Sequence, residues 1–353
     1  MAGLCDTDGM DSTGPSADTE PHGEPGPRPS APEAPPAPVW EPDRLGEGFE
    51  CATLPLTGGA RATLIAHRGE HAADGPAAGR TVLYLHGWSD YFFHRHLAEY
   101  WADRGAAFYA IDLRGYGRSL DLEDPEARPG YIDDLAHYDE ELEAALAIIG
   151  AEHPKARLIL SGHSTGGLVA ALWAHRNPGR AAALVLISPW LEFQLDSSTR
   201  KLITPWLTWR SRRSESVPIK IRFPDHYARS VLFSRGNLPY ELDLKPPGSF
   251  PIYPAWLRAV FAGHEAVEKG LAISAPILVE MSTTSLRERS YRSAMHAADI
   301  VLDVDVLARR APSLGRTVVI ERIPGALHDV FLSDRPVQKS AFDRITRFLT
   351  GYL

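Results

Sequence analysis

Seven short apolar runs set the architecture open to this chain. They are "RATLIAHR" (61–68), "TVLYLHG" (81–87), "AAFYAID" (106–112), "RLILSG" (157–162), "AALVLISP" (182–189), "APILVEMS" (275–282) and "RTVVIERI" (316–323). Each has strand length and several stop at a glycine or proline. Between and after them, "HLAEYWADRG" (96–105), "YIDDLAHYDEELEAALAIIG" (131–150), "GGLVAALWAHRN" (166–177) and "VQKSAFDRITRFL" (337–349) carry helical spacing. A run such as "TVLYL" is apolar at successive positions, which suits a strand covered on both faces. Strands alternating with helices predict an α/β fold, with a mostly parallel central sheet and helices on both sides.

The rhythm breaks once. From Trp190 to about Gly270 the sequence reads as irregular and is dense in Trp, Pro and Arg. Strand and helix resume after it, so this stretch is read as a cap inserted at about 190–270. The host is then one domain over 41–353, within the size range of a single α/β unit. Residues 1–40 have another texture. "PHGEPGPRPSAPEAPPAP" lacks bulky apolar side chains and cannot offset its ordering entropy, so a disordered Pro-rich tail is expected.

Composition excludes several classes. A formal net charge of −8 argues against a nucleic-acid partner. Cys5 and Cys51 make no disulfide framework and suit a reducing compartment. With no apolar run of about 18 residues and no secretory start, a cytoplasmic location is expected. No His/Cys ligand spacing and no glycine-rich dinucleotide loop stand out, so no metal and no cofactor are expected. Nothing here sets an oligomeric state.

The chemistry concentrates in "LILSGHSTGG" (158–167). A strand runs into Gly162-His163-Ser164-Thr165-Gly166 and a helix follows, which is the context a G-x-S-x-G nucleophile elbow requires. The glycines permit a sharp turn, and the helix start beyond Ser164 offers free N–H groups to a developing oxyanion. A serine needs a base. Of fourteen histidines, His328 in "PGALHDVF" follows the last strand, at the sheet edge where loops converge on the elbow. His86 and His163 are read as shaping the site. His94 and His96 are read as surface residues.

The base needs a carboxylate, expected in the order Ser, acid, His. No Asp lies between Ser282 and Ala298, so the acid loop is displaced. "ADIVLDVD" offers Asp299, Asp303 and Asp305; Asp299 is the choice and Asp303 its main rival. "SLRE" (285–288) has the form of a capping box, so a short helix is expected in the displaced stretch. The oxyanion donors are assigned to the backbone amides of Trp88, in "LHGW" (85–88), and Thr165.

Taken in order, "HGW", "DLRGYGRS" (112–119), "GHSTGG" and "GALHD" resemble the α/β-hydrolase fold family over about residues 50 to 353. The nearest group is the branch of monoacylglycerol lipases, lysophospholipases and serine-aminopeptidase-like hydrolases. In that family the acid sits in a G-x-x-D-x-x-x-D type loop, and "ADIVLD" matches the D-x-x-x-D part, which favours Asp299. The resemblance implies a serine hydrolase acting on a small-molecule ester, with lipid-like esters in range. A serine aminopeptidase and a non-catalytic binding protein are the alternatives.

Residues 200 to 222 reverse the local charge. Arg200, Lys201, Arg210, Arg212, Arg213, Lys220 and Arg222 face one acid, Glu215, and Leu202, Ile203, Trp206, Leu207 and Trp209 interleave. Such a cap suits peripheral contact with an anionic lipid surface. The plainer expectation is a cap that packs its tryptophans over the site and solvates its charges.

Overall fold

The computed structural model describes residues 38–193, 197–213, 217–221, 223–236 and 239–353. The expected tail falls on residues outside these, except for its last three. Of those, Trp40 donates from Nε1 to Glu152 and lies 4.2 Å beneath the Arg68 guanidinium.

Among the described residues, nine strands form one sheet. In chain order they are β1 (Glu41–Pro42), β2 (Phe49–Pro55), β3 (Arg61–His67), β4 (Arg80–Leu85), β5 (Ala107–Asp112), β6 (Arg157–His163), β7 (Ala181–Ile187), β8 (Ile277–Ser282) and β9 (Val318–Ile323). Their order across the sheet is β1-β2-β3-β5-β4-β6-β7-β8-β9. From β5 to β9 every pairing is parallel. The sequence reading missed β1 and β2, which pair antiparallel and, with β3, close one edge. β2 alternates burial, "FECATLP", and so lacks the continuous apolar run that marked the central strands.

The helices are α1 (Arg95–Ala102), α2 (Asp139–Glu152), α3 (Thr165–Arg176), α4 (Ser197–Arg213), α5 (His226–Arg235), α6 (Pro254–Lys269), α7 (Val304–Arg310) and α8 (Arg335–Tyr352). Strand side chains alternate between two cores. Leu83 and Leu85 of β4 face the core that holds α2, α3 and α6. Val82 and Tyr84 face the core that holds α1 and α8. This two-sided burial is the α/β layering the apolar runs imply.

Three local expectations need correction. The helix expected from residue 131 starts at Asp139. Asp134 first caps a 3-10 turn, Leu135–Tyr138, and Asp139, Glu140 and Glu141 then favour the α-helical N-terminus. The stretch 190–270 is not irregular, since it holds α4, α5 and α6. Its helical period was hidden because α4 inverts the usual polarity: Arg200 and Leu207 are buried, while Leu202, Trp206 and Trp209 are exposed. Pro205 inside α4 obscured it further. "SLRE" caps no helix. Ser285 Oγ accepts from Val304 N instead, and the nearby turn is a 3-10 segment, Ser293–Ala297.

Along β5-β4-β6 the chain reverses its direction of travel across the sheet. Ligands of open α/β sheets lie at such a switch point, beyond the strand C-terminal ends. The loops after β4 and β6 carry "HGW" and Ser164. Among the described residues, no helix is long and apolar enough to cross a membrane.

Candidate active site

Ser164 occupies a backbone conformation that side chains rarely adopt, φ 53° and ψ −118°, between the end of β6 and the start of α3. Its amide donates to Ile187 O, and its carbonyl accepts from Gly167 and Trp190 amides, so the strain is held from three sides. The turn has no room for side chains at its glycines. A β-carbon on Gly166 would stand 2.2 Å from His86 O, and one on Gly162 2.7 Å from Gly166 O.

The loop after β4 passes directly over the serine: a β-carbon on Gly87 would lie 3.2 Å from Ser164 Cβ. His86 fixes this loop. Its Nε2 accepts from Leu113 N, leaving Nδ1–H to donate to Gly87 O. Burial lowers its pKa, in keeping with a neutral ring. A small pocket beside the elbow is lined by His86, Gly87, Trp88, Tyr116, Thr165 and Gly166 among others, which include both residues whose amides are the expected oxyanion donors.

The structure brings Ser164, His328 and Asp299 together. His328 Nε2 lies 3.0 Å from Ser164 Oγ, and His328 Nδ1 lies 2.8 Å from Asp299 Oδ2. An acceptor at Nδ1 fixes the proton there and leaves Nε2 to take the serine proton. Asp299 is fully buried, and its other oxygen accepts from Val301 and Leu302 amides, each at 2.8 Å. The displaced stretch loops away and returns: Ser285 and Asp299 form a parallel bridge that brings the acid back to the sheet edge. Asp303 is instead the N-cap of α7, accepting from Asp305 and Val306 amides. Asp305 pairs with Arg322.

The surface reading of His94 and His96 is wrong. Both fold back under the site, because the loop before α1 packs against the segment that follows His328. His94 Nε2 lies 2.8 Å from Asp329, with both side chains buried. His96 Nε2 contacts Phe331 O, and burial lowers its pKa to about 4.

Sequence reasoning also missed a buried charge cluster behind the elbow. Asp90, His163 and Asp329 each bring a side-chain oxygen or nitrogen within 4.8 Å of the others. Lys245 reaches in from the segment between α5 and α6 and donates to Asp90 at 2.5 Å. Burial pushes the Asp90 carboxyl up, but Lys245 and His163 outweigh it and hold it below the usual range. Asp329 is likewise lowered, burial being outweighed by His94 and His163. These residues come from four separate segments, so no spacing in the sequence signals them.

Comparison with known proteins gives the family and the fold. Residues 76–290 match the family model described as serine aminopeptidase, S33. The chain belongs to that family. A monoacylglycerol lipase of Mycolicibacterium smegmatis is 24% identical to this S33-family chain over 285 residues, covering 77% of it and 88% of the relative. Among solved structures, a monoacylglycerol lipase of Paleococcus ferrophilus superposes with a TM-score of 0.59 at 19% identity, covering 79% of this chain and 97% of its own. A thermostable carboxyl esterase of Bacillus coagulans gives a TM-score of 0.59 at 14% identity, covering 86% and 99%. The S33-family chain is thus a hydrolase with the α/β-hydrolase fold.

Proposed function

We propose that this chain hydrolyses carboxylic esters through an acyl-enzyme. The observation that carries the reading is the unbroken hydrogen-bond relay Asp299–His328–Ser164 at a strained elbow. Ser164 attacks the ester carbonyl while His328 Nε2 takes its proton. Asp299 holds the imidazole tautomer and balances its charge. The amides of Trp88 and Thr165 stabilise the oxyanion, each such donor being worth about 3 kcal/mol at the transition state. His328 then protonates the leaving alcohol, and water repeats the steps to release the acid.

The substrate class we infer is a monoglyceride, a lysophospholipid or a small ester. An aromatic wall supports it: Trp88 stacks on Trp256 at 4.9 Å and meets Phe223 edge-on. The relatives named for monoacylglycerol lipase and carboxyl esterase activity support the same class. A peptidase that trims N-termini needs a free carboxylate for the substrate amine. Among the described residues, the buried acids around the elbow and His328 are already paired: Asp90 faces Lys245, Asp299 faces His328 and Asp329 faces His94. That pairing favours the ester reading over the aminopeptidase one.

We read α4 to α6 as a cap over the site and residues 1–40 as a tail. The cap is less basic than its sequence suggests. Arg200 is buried between Glu192 and Glu268, and Lys201 also meets Glu268. Arg222 and Glu215 lie outside the described residues. What α4 presents is Leu202, Trp206 and Trp209 exposed on one face, with Arg213 over the Trp209 ring. This stripe supports peripheral contact with anionic lipid. A cytoplasmic location is our reading, supported by the low cysteine count.

The test is turnover of a p-nitrophenyl ester of short or medium chain. Ser164→Ala abolishes it, and a fluorophosphonate labels the native chain at Ser164 alone. Wild-type-like turnover by the variant would falsify the assignment.

A further inference from the structure

Three hydrogen bonds tie the segment between α5 and α6 to the residues that follow Trp88. Phe250 N donates to Ser89 Oγ at 3.0 Å, Glu241 N to Tyr91 Oη at 2.9 Å, and Lys245 Nζ to Asp90 Oδ1. Ser89 itself sits at φ 53°, a region that a serine holds only when its surroundings impose it. Lys245 is buried and caged by aromatic rings, 5.0 Å from Phe93, 5.1 Å from Tyr240 and 5.7 Å from Tyr227. Its ammonium is the internal counter-cation of Asp90, and a metal ion bound there would have to displace it.

We propose that Lys245 is a positioning residue, which through Asp90 fixes the strained loop carrying the Trp88 amide, so that the oxyanion site is complete only with the cap segment in place. This rests on Ser164, His328 and Asp299 being the triad. The loop has no other charged anchor to the cap among the described residues; Ser89 and Tyr91 supply neutral ones. A buried carboxylate stripped of its cation is strongly unfavourable, so loss of Lys245 acts on the loop through Asp90.

Asp90 has further titratable neighbours on every side. His163 faces it from the elbow, at 3.4 Å, and its ring lies tilted against the His328 ring, 4.9 Å between centroids. The Asp329–His94 pair lies behind it, and His86 and Tyr84 approach from β4 and the loop after it. The phenols of Tyr227 and Tyr240 approach from the cap. Lys245 is the strongest of the groups that hold the Asp90 carboxyl low, so removing it raises the pH at which Asp90 takes up a proton. A neutral Asp90 relieves the buried charge.

The experiment measures kcat and KM for an ester across pH in Lys245→Met and in Asp90→Asn/Lys245→Met, with thermal unfolding to establish folding. Lys245→Met should lower kcat at least about tenfold, the scale of losing part of one oxyanion donor, with KM within about threefold. Its deficit should shrink as pH falls. The double variant, which removes both members of the Asp90–Lys245 pair and so strands neither charge, should keep a smaller kcat deficit that does not vary with pH. If Lys245→Met does not fold, the double variant decides by the same measure. A wild-type kcat in either folded variant overturns the proposal, as does a loss confined to KM or a Lys245→Met deficit equal at every pH. Fluorophosphonate labelling of the native chain separates the two failures. An unlabelled Ser164 sinks the triad, whereas a labelled, active native chain matched by Lys245→Met sinks only the role of Lys245.

Discussion

His328 and Ser164 stand 164 positions apart in the chain, yet Nε2 of one lies 3.0 Å from Oγ of the other. Parallel strands bring this about. β6 delivers Ser164 and β9 precedes His328, and both strands run the same way through the sheet, so their C-terminal loops meet at one edge.

Replacement of the acid separates the two candidates. Asp299→Asn keeps an oxygen for the Val301 and Leu302 amides but loses the charge that steadies the His328 imidazolium. Its kcat should fall by about 10⁴, with folding retained. Asp303→Ala should keep near-native turnover and lose about 1 kcal/mol of stability, the cost of an N-cap. Ester hydrolysis and thermal unfolding of both variants check this. Near-native turnover by Asp299→Asn would transfer the role elsewhere.

Gly166→Ala tests the elbow without touching a functional side chain. The added methyl would meet the His86 carbonyl oxygen at 2.2 Å, so α3 must shift away from the loop after β4. We expect destabilisation of about 1–3 kcal/mol, typical of overpacking, and a large loss of kcat because the Thr165 amide moves with the helix. Unfolding in urea together with ester kinetics measures both. Unchanged kinetics would show that the amide need not be held there.

Much of this site was legible because its chemistry is carried by local signals. The elbow announces itself through glycines that the turn cannot do without, and "GALHD" follows a strand whose apolar run is plain. Asp299 was harder, because the return of the displaced loop depends on the bridge to Ser285, a contact with no local signature. The Asp90–Lys245 pair joins a loop after β4 to a segment beyond α5, and only the folded cap brings them together. The helix α4 was invisible for a different reason. Its tryptophans face outward and an arginine faces inward, so a reading that equates apolar with buried finds no helical period there.

That inverted face leads to a binding prediction. Trp206 and Trp209 are about half exposed and Leu202 more so. An indole inserted at a lipid interface gains roughly 1.5–3 kcal/mol on full burial, so Trp206→Ala/Trp209→Ala should bind anionic vesicles at least about tenfold more weakly. Turnover of a soluble short-chain ester should be unchanged. Vesicle co-sedimentation with anionic and with neutral lipid reads the effect. Equally weak binding of the native chain to both sinks the lipid-surface reading.

Glu280 gives the chain an unusual pH response. It lies in β8, fully buried, and neither carboxyl oxygen has a hydrogen-bond partner among the described residues. Burial drives its pKa well above the ordinary 4.5; Arg344 opposes this and Glu321 adds to it. The folded state therefore keeps a proton that the unfolded chain gives up above pH 4.5. Stability is fully present below that pH and declines as pH rises toward the folded-state value, by about 1.4 kcal/mol for each unit. Glu280→Gln has nearly the same shape and no charge to lose. Its melting temperature should match the native chain near pH 4 and exceed it at pH 8, with a gap that widens between them. Equal melting temperatures at pH 8 would mean that Glu280 is ionised in the fold and has found a partner.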